Sequence, residues 1–361
     1  MSISYELIDK SKRGSVPHDE NLPFGALRTD HMFVADYEDG EWKNARIVPY
    51  GPFSVMPGAV VLHYGQAIFE GAKAFRHADN EIYLFRIEEN IKRFNHSADI
   101  LCMPRMPEDF HLEGILRLID IERAWCPSVP ESSLYIRPFM FGTQDTLGVK
   151  SSSKYTYCLM VSPSGPYYAG GFSNPVKLLI TQKFHRAVSG GTGTAKCGGN
   201  YASSLRAAEY AHSKGASQVL YLDASNEYIE EVGTMNHYHV LKDGTFVIPE
   251  FNDSILRSVT SLSVLELAKM GKIKAKTEHI RLETFLNQIK AGEIIEAGGL
   301  GTAAVVSPVG TYVFENGEEI TVGDGKIGQH SRSLYEMYSS MQIGKSPAPE
   351  GWLTKVSHYG V

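Results

Sequence analysis

Mixed α and β structure, α+β or mixed α/β, arranged in two domains is what this sequence predicts, and three observations carry the prediction. The chain has 361 residues, more than a single small core usually organises. Helical and strand periodicities follow one another irregularly, without the strict alternation of a parallel sheet wrapped in helices. A stretch dense in Gly, Pro and Ser, SPSGPYYAGGFSNP at 162–175, interrupts them and reads as an interdomain loop. The expected division is a smaller N-terminal α/β domain at 1–161, the connecting loop at 162–175, and a larger C-terminal domain at 176–361.

Taken in order, residues 87–103 put Ile87, Ile91, Phe94, Ala98 and Leu101 on one face of a helix. A second amphipathic stretch follows at about 109–125. In SLYIRPFMF, at 133–141, period-two alternation sets Tyr135, Arg137 and Phe139 on one face of a strand and Leu134, Ile136 and Met140 on the other. Past the loop, VKLLIT is a strand, GGTGTAKCGGN a Gly-rich loop and 201–213 a helix. Strands are expected at 217–222, 227–232 and 236–242, then a helix at about 255–270 that stops at Gly271.

Composition narrows the function. Hydrophobic residues make up 43% and charged residues 21%, the balance of an ordinary globular chain. A net charge of −6 and no basic stripe argue against nucleic acid as a partner. The longest apolar runs, YTYCLMV and VKLLIT, are strand-sized, so no membrane span is expected. Cys102, Cys126, Cys158 and Cys197 form no CxxC pair, and the N-terminus has no apolar signal core; both suit a reducing, cytoplasmic setting. No metal site is expected. His237 and His239 share a strand face but lack a third ligand, so a packed or solvated pair is the better reading. Asn95-His96-Ser97 matches a glycosylation acceptor by letters, inside a helical pattern that argues against it.

The most informative segment runs from Gly190 to Tyr201, GGTGTAKCGGNY. A phosphate-cradling P-loop needs Gly before its Lys and Ser or Thr after it; Ala195 and Cys197 stand there, and that reading fails. A lysine that attacks a carbonyl must lose its proton, which desolvation or cationic neighbours promote. Small flanking residues suit close packing around a bulky aldehyde. A solvated lysine in a loop is the plain alternative, and local sequence alone does not displace it.

The whole chain does. AKCGGNYASSL resembles the lysine segment of class IV aminotransferases, the fold-type-IV pyridoxal-phosphate enzymes. In order along the chain, LHYGQAIFEGAKAFR at 62–76, FRIEENIKRFNHSADILCMP at 85–104, SLYIRP at 133–138, YIEEVGTMNHY at 228–238, NDSILRSVT at 252–260 and GTAAVVSPV at 301–309 resemble the branched-chain members. The resemblance covers roughly residues 24–355 and implies the two-domain fold-type-IV architecture, with the C-terminal domain binding pyridoxal 5'-phosphate. It implies transfer of the amino group of L-leucine, L-isoleucine or L-valine to 2-oxoglutarate, giving L-glutamate and branched 2-oxo acids.

It also implies roles. Lys196 matches the catalytic lysine that forms a Schiff base with the cofactor, and Tyr201 the tyrosine that hydrogen-bonds the cofactor's phenolate oxygen. Glu231 matches the carboxylate facing the pyridine nitrogen, where negative charge strengthens the electron sink; alternation lets only one of Glu230 and Glu231 point inward. Arg93 matches the phosphate-binding arginine, whose fork suits a dianion. Val259 and Thr260 match backbone N–H groups at a helix start that bind the same phosphate, together with Thr302. Without the family, Arg93 and Thr260 would be read as surface positions of their helices.

The same pocket must take an apolar side chain and then a carboxylate, and a buried unpaired charge is costly. An aromatic lining with one polar exit answers this: Phe69, Tyr135 and Arg137 match the family's pocket positions. Tyr64 matches a residue contributed by the neighbouring subunit, which implies a homodimer. Thr302 and Ala303 match a turn whose N–H groups hold the substrate carboxylate. Some members carry a CxxC redox pair after that turn; Ala304-Val305-Val306-Ser307 excludes it here. The nearest alternative is another class IV enzyme, a D-amino-acid aminotransferase or an aminodeoxychorismate lyase.

Overall fold

In the computed structural model, residues 2–17, 22–165, 172 and 174–360 are described, and the chain forms two compact units. The first comprises Met1–Tyr167, Ala195–Gly199 and Ser340–Val361, and the second Tyr168–Thr194 and Asn200–Ser339.

The first unit is built on one sheet. Its strands run in the order Ser4–Tyr5, Glu41–Pro49, His31–Glu38, Tyr155–Ser164, Ser133–Gly142, Ala72–Arg76, Ile82–Phe85 and Leu353–Lys355, with Ala67–Phe69 also paired to Ser133–Gly142. All neighbours are antiparallel except the short first pair. Alternation along Ser133–Gly142 sends Leu134, Ile136 and Met140 into the core, where they meet Ile87, Ile91, Phe94 and Ala98 of helix Ile87–Ile100. That is the stripe the sequence predicts. Helix Glu108–Ile121 adds Ile115, Leu118 and Ile119 to the same core.

The second unit holds a sheet in the order Ile229–Val232, Gln218–Leu222, Val176–Ile180, Val305–Phe314, Ile294–Gly301, Met235–Leu241, Phe246–Pro249 and Ala275–Glu278. Ile229–Val232 pairs with Met235–Leu241 as well, which closes six strands into a barrel-like ring. Val176–Ile180 lies parallel to both of its neighbours while most other pairs are antiparallel, so the sheet is mixed. Leu178, Leu220, Val232, Ala297, Val309 and Tyr312 fill one core, against which Phe285 and Ile289 of helix Leu282–Lys290 pack. Helix Val259–Lys269 is followed by Gly271 at φ 70°, the left-handed conformation that stops a helix.

Several expectations change. The stretch 162–175 is not loop from its start, because strand Tyr155–Ser164 runs into it; residues 166–171 and 173 lie outside the described residues. Ala195–Gly199 and Ser340–Val361, expected on the C-terminal side, belong to the first unit. Pairing explains both: the Phe69 N–H donates to the Lys196 carbonyl at 2.9 Å, and Leu353–Lys355 extends the first sheet beside Ile82–Phe85. Asn95 is buried, its side chain exchanging two hydrogen bonds with the Met106 backbone, so it is not a glycan acceptor. Among the described residues, no helix is long and apolar enough to cross a membrane.

Candidate active site

Lys196 lies in the first unit, between Ala195 and Cys197, both buried in the hydrophobic core. Its backbone is tied on both sides. The Lys196 N–H donates to Ser97 Oγ at 2.9 Å, and its carbonyl accepts from Phe69 N–H. Ile68 and Cys197 form an isolated bridge beside it. The side chain is half-buried, with Nζ 4.8 Å from the centre of the Phe69 ring. A solvated loop lysine does not fit this setting.

Next to Phe69 stands Glu70, 1% exposed, which the sequence did not single out. It grips Arg93 through both oxygens: Arg93 Nε lies 2.5 Å from Glu70 Oε1 and Arg93 Nη2 lies 3.0 Å from Oε2. Asn90 Nδ2 and the Gly71 N–H also donate to Oε2, each at 2.9 Å. Burial alone would raise the carboxyl's pKa, but the Arg93 charge, with Lys196 and Asn90 behind it, outweighs burial and holds it below the ordinary value. Arg93 is therefore no surface arginine; its side chain is only 10% exposed. The guanidinium is held as one half of a fork-to-fork pair.

The aromatic positions assemble in the same unit. Arg137 Nη2 donates to the Tyr135 hydroxyl at 3.1 Å, and the guanidinium sits 4.8 Å over the Phe69 ring. Arg137 Nε is buried and has no hydrogen-bond partner among the described residues. Tyr135 packs edge-on to Phe24 at 5.1 Å. Gly71 makes room for it, since a Cβ there would come within 2.1 Å of the Tyr135 hydroxyl oxygen. Lys73, which is cross-strand partner to Tyr135, is also drawn to this face, and burial pushes its amine down to about 8. Tyr64 lies elsewhere on this unit, 42% exposed, with its hydroxyl donating to the Leu147 carbonyl.

In the second unit, Glu231 is 3% exposed on strand Ile229–Val232. Its Oε1 accepts from the Leu256 N–H at 2.7 Å and lies 3.1 Å from Arg186 Nη2. Glu230 is buried too, accepting from Ser254 Oγ and Asn252 Nδ2, so neither carboxylate is a solvated edge charge. The expectation that only one of them turns inward is corrected, because segment 252–256 supplies donors to both. Arg186, itself buried, also donates to the carbonyls of Gly193 and Ser254, a link that no pattern in the sequence announces. Gly193 permits the approach, since a Cβ would sit 2.3 Å from the Ser254 carbonyl oxygen.

Tyr201 is half-buried in the first turns of helix Gly198–Ser213. Asn200 closes the Gly-rich loop by bonding Thr192 through both its amide oxygen and nitrogen. Val259 and Thr260 open helix Val259–Lys269 behind an N-cap Ser258, and both are buried, so Thr260 is not a plain surface position of that helix. Their N–H groups have no acceptor within the helix. Asn236 Oδ1 braces this start, accepting from Ser258 N–H and Ser261 Oγ. Thr302 and Ala303 lie in the tight turn that joins strands Ile294–Gly301 and Val305–Phe314. Val305, which ends that turn, takes φ 63°, a strained value for a β-branched residue. His237 and His239 pack against the Phe285 ring at 5.3 and 5.4 Å, and among the described residues no three ligating side chains gather to hold a metal.

Comparison with known proteins identifies the family. Residues 67–311 match the family described as Amino-transferase class IV. The branched-chain-amino-acid transaminase 1 of Bacillus subtilis is 43% identical over 94% of this chain and 96% of its own length. The branched-chain-amino-acid aminotransferase of Mycobacterium tuberculosis is 40% identical over 92% of each. The crystal structure of the Escherichia coli branched-chain amino acid aminotransferase superposes with a TM-score of 0.73 at 25% identity, covering 91% of this chain and 99% of that one. The branched-chain amino acid aminotransferase of Thermobaculum terrenum, solved in its PLP-form, shares the fold with a TM-score of 0.72 at 20% identity, covering 94% and 100%. The fold is thus the mixed, two-domain fold-type-IV architecture that the sequence implied, and the chain belongs to the class IV aminotransferases.

Proposed function

We propose that the protein is a branched-chain amino-acid aminotransferase. It moves the amino group of L-leucine, L-isoleucine or L-valine reversibly to 2-oxoglutarate, with pyridoxal 5'-phosphate as cofactor. The observation that carries the substrate reading is Arg137, a cation set between the rings of Phe69 and Tyr135 with a buried, unmatched Nε. Apolar lining with one polar exit serves a branched side chain and a carboxylate in turn. The names of the relatives cited above support branched-chain amino acids as substrates.

The donor set fits the cofactor. A half-buried amine suits an aldehyde, a guanidinium and a helix start suit a phosphate, and a buried carboxylate suits a pyridinium. When bound, pyridoxal phosphate supplies an electron sink for the pair left as the substrate's Cα–H bond breaks. Lys196 would hold the cofactor at its aldehyde carbon, and its amine would carry the proton to and from that Cα. Tyr201 would donate to the phenolate oxygen, and Glu231 would accept from the protonated pyridine nitrogen. Arg93, the N–H groups of Val259 and Thr260, and Thr302 are the groups that would bind the phosphate. Thr302 and Ala303 hold the substrate carboxylate.

The assembly we propose is a homodimer in the cytoplasm, with Tyr64 serving the neighbouring subunit. Tyr50, Phe53, Met56, Leu62 and Tyr64 are exposed, as are Leu147 at 70% and Val149 at 85%. Thr146 N–H to Gly58 O and Tyr64 to Leu147 O knit the two segments into one apolar patch, of a kind that marks an association surface. All four cysteines are unpaired thiols, which suits a reducing compartment. Absorbance titration of the holoenzyme tests the whole reading. L-leucine is expected to convert the aldehyde form of the cofactor to the amine form. Conversion by D-alanine and not by L-leucine would favour a D-amino-acid aminotransferase.

A further inference from the structure

Glu70 is more deeply buried than any residue assigned a role around Lys196, and nothing above gives it a task. A carboxylate taken from water must be compensated by donors, and four surround it: Arg93 Nε, Arg93 Nη2, Asn90 Nδ2 and the N–H of its neighbour Gly71. Its backbone is fixed as well, since the Glu70 N–H donates to Pro138 O at 2.8 Å. Asn90 Nδ2 also reaches Gly71 O at 3.1 Å, so helix Ile87–Ile100 is pinned to this bend at two points.

Arginine has a long, rotamer-rich side chain whose ordering costs up to about 2 kcal/mol on anion binding. A guanidinium gripped along its Nε–Nη2 edge has lost that freedom already. From this geometry we propose that Glu70 is the positioning residue for Arg93: it pre-orients the guanidinium so that this cation meets the cofactor's phosphate without searching. The proposal rests on the aminotransferase reading above. Glu70 touches neither substrate nor cofactor and acts only through Arg93.

The role predicts selectivity for phosphate. In Glu70→Gln the pairing is lost at nearly constant volume. Apo-protein titrated with pyridoxal 5'-phosphate and, separately, with pyridoxal is expected to lose roughly tenfold in affinity for the first and to keep its affinity for the second. Glu70→Gln combined with Arg93→Ala should weaken phosphate-dependent binding no further than Arg93→Ala alone, because coupled residues fail to add. Glu70→Asp, which restores the charge one methylene short, should recover part of the loss, and it carries the same comparison if the Gln variant does not fold. Equal losses for both ligands, or additive losses in the double variant, would overturn the proposal. Wild-type protein that binds neither ligand would instead reject the aminotransferase reading.

Discussion

Ser97 joins Arg93 to Lys196: its hydroxyl donates to the Arg93 carbonyl at 3.0 Å and accepts the Lys196 N–H at 2.9 Å. Ser97 is completely buried, so the lysine segment has no water to turn to if this oxygen is removed. Ser97→Ala should destabilise the protein by about 1–3 kcal/mol, the cost of an orphaned buried N–H. Urea unfolding measures it. A change below a few tenths would show that the segment finds another acceptor.

Lys196→Ala should abolish both turnover and the visible absorbance that the lysine-bound cofactor gives. Wild-type rates in that variant would reject the assignment of Lys196, whatever else binds.

Glu231→Gln separates charge from shape. The amide can still accept from Leu256 N–H, but Arg186 is left as a buried cation without its counter-charge. Loss of roughly 10²–10³ in kcat is expected, on the scale of removing one preorganised electrostatic partner. Retention of kcat within a factor of about three would remove Glu231 from the mechanism.

Arg137→Met should raise KM for 2-oxoglutarate by about 10- to 100-fold, the equivalent of one charged hydrogen bond, and leave that for L-leucine within about threefold. A matched rise for both would make Arg137 a packing residue.

Acid should unfold the protein early. His111, His237 and His239 are buried neutral; burial lowers His111 and His239 to about 3 and holds His237 well below the ordinary histidine value. Their folded pKa lies below the unfolded value, so their contribution is whole above about pH 6.5 and is lost as pH falls. Below that point each histidine should remove about 1.4 kcal/mol of stability per pH unit. Urea midpoints between neutral and pH 5 report the slope. His111→Leu should flatten it by one histidine's share, and an unchanged slope in that variant would contradict the assignment.

Periodic elements were legible where one face is buried. Tyr135 and Arg137 fall on the same strand face by alternation alone, and the hydrogen bond between them follows. The apolar stripe of helix Ile87–Ile100 is equally plain. What alternation could not reach were partners distant in sequence. Glu70 looks like any glutamate until Arg93 and Asn90 turn toward it, and Arg186 gains meaning only beside Glu231. Alternation gives no sign that Glu230 is buried, for the same reason: Asn252 and Ser254, which cover it, come from elsewhere in the chain.

The clasp on position 196 spans ninety-nine residues to Ser97 and reaches back further still to Phe69. While the polypeptide is being made, this amine is therefore chemically ordinary, indistinguishable from the other lysines on a nascent chain. Only tertiary structure supplies the setting that singles this amine out from the rest, so half-folded molecules lack the means to hold a scarce and indiscriminately reactive vitamin at one chosen site.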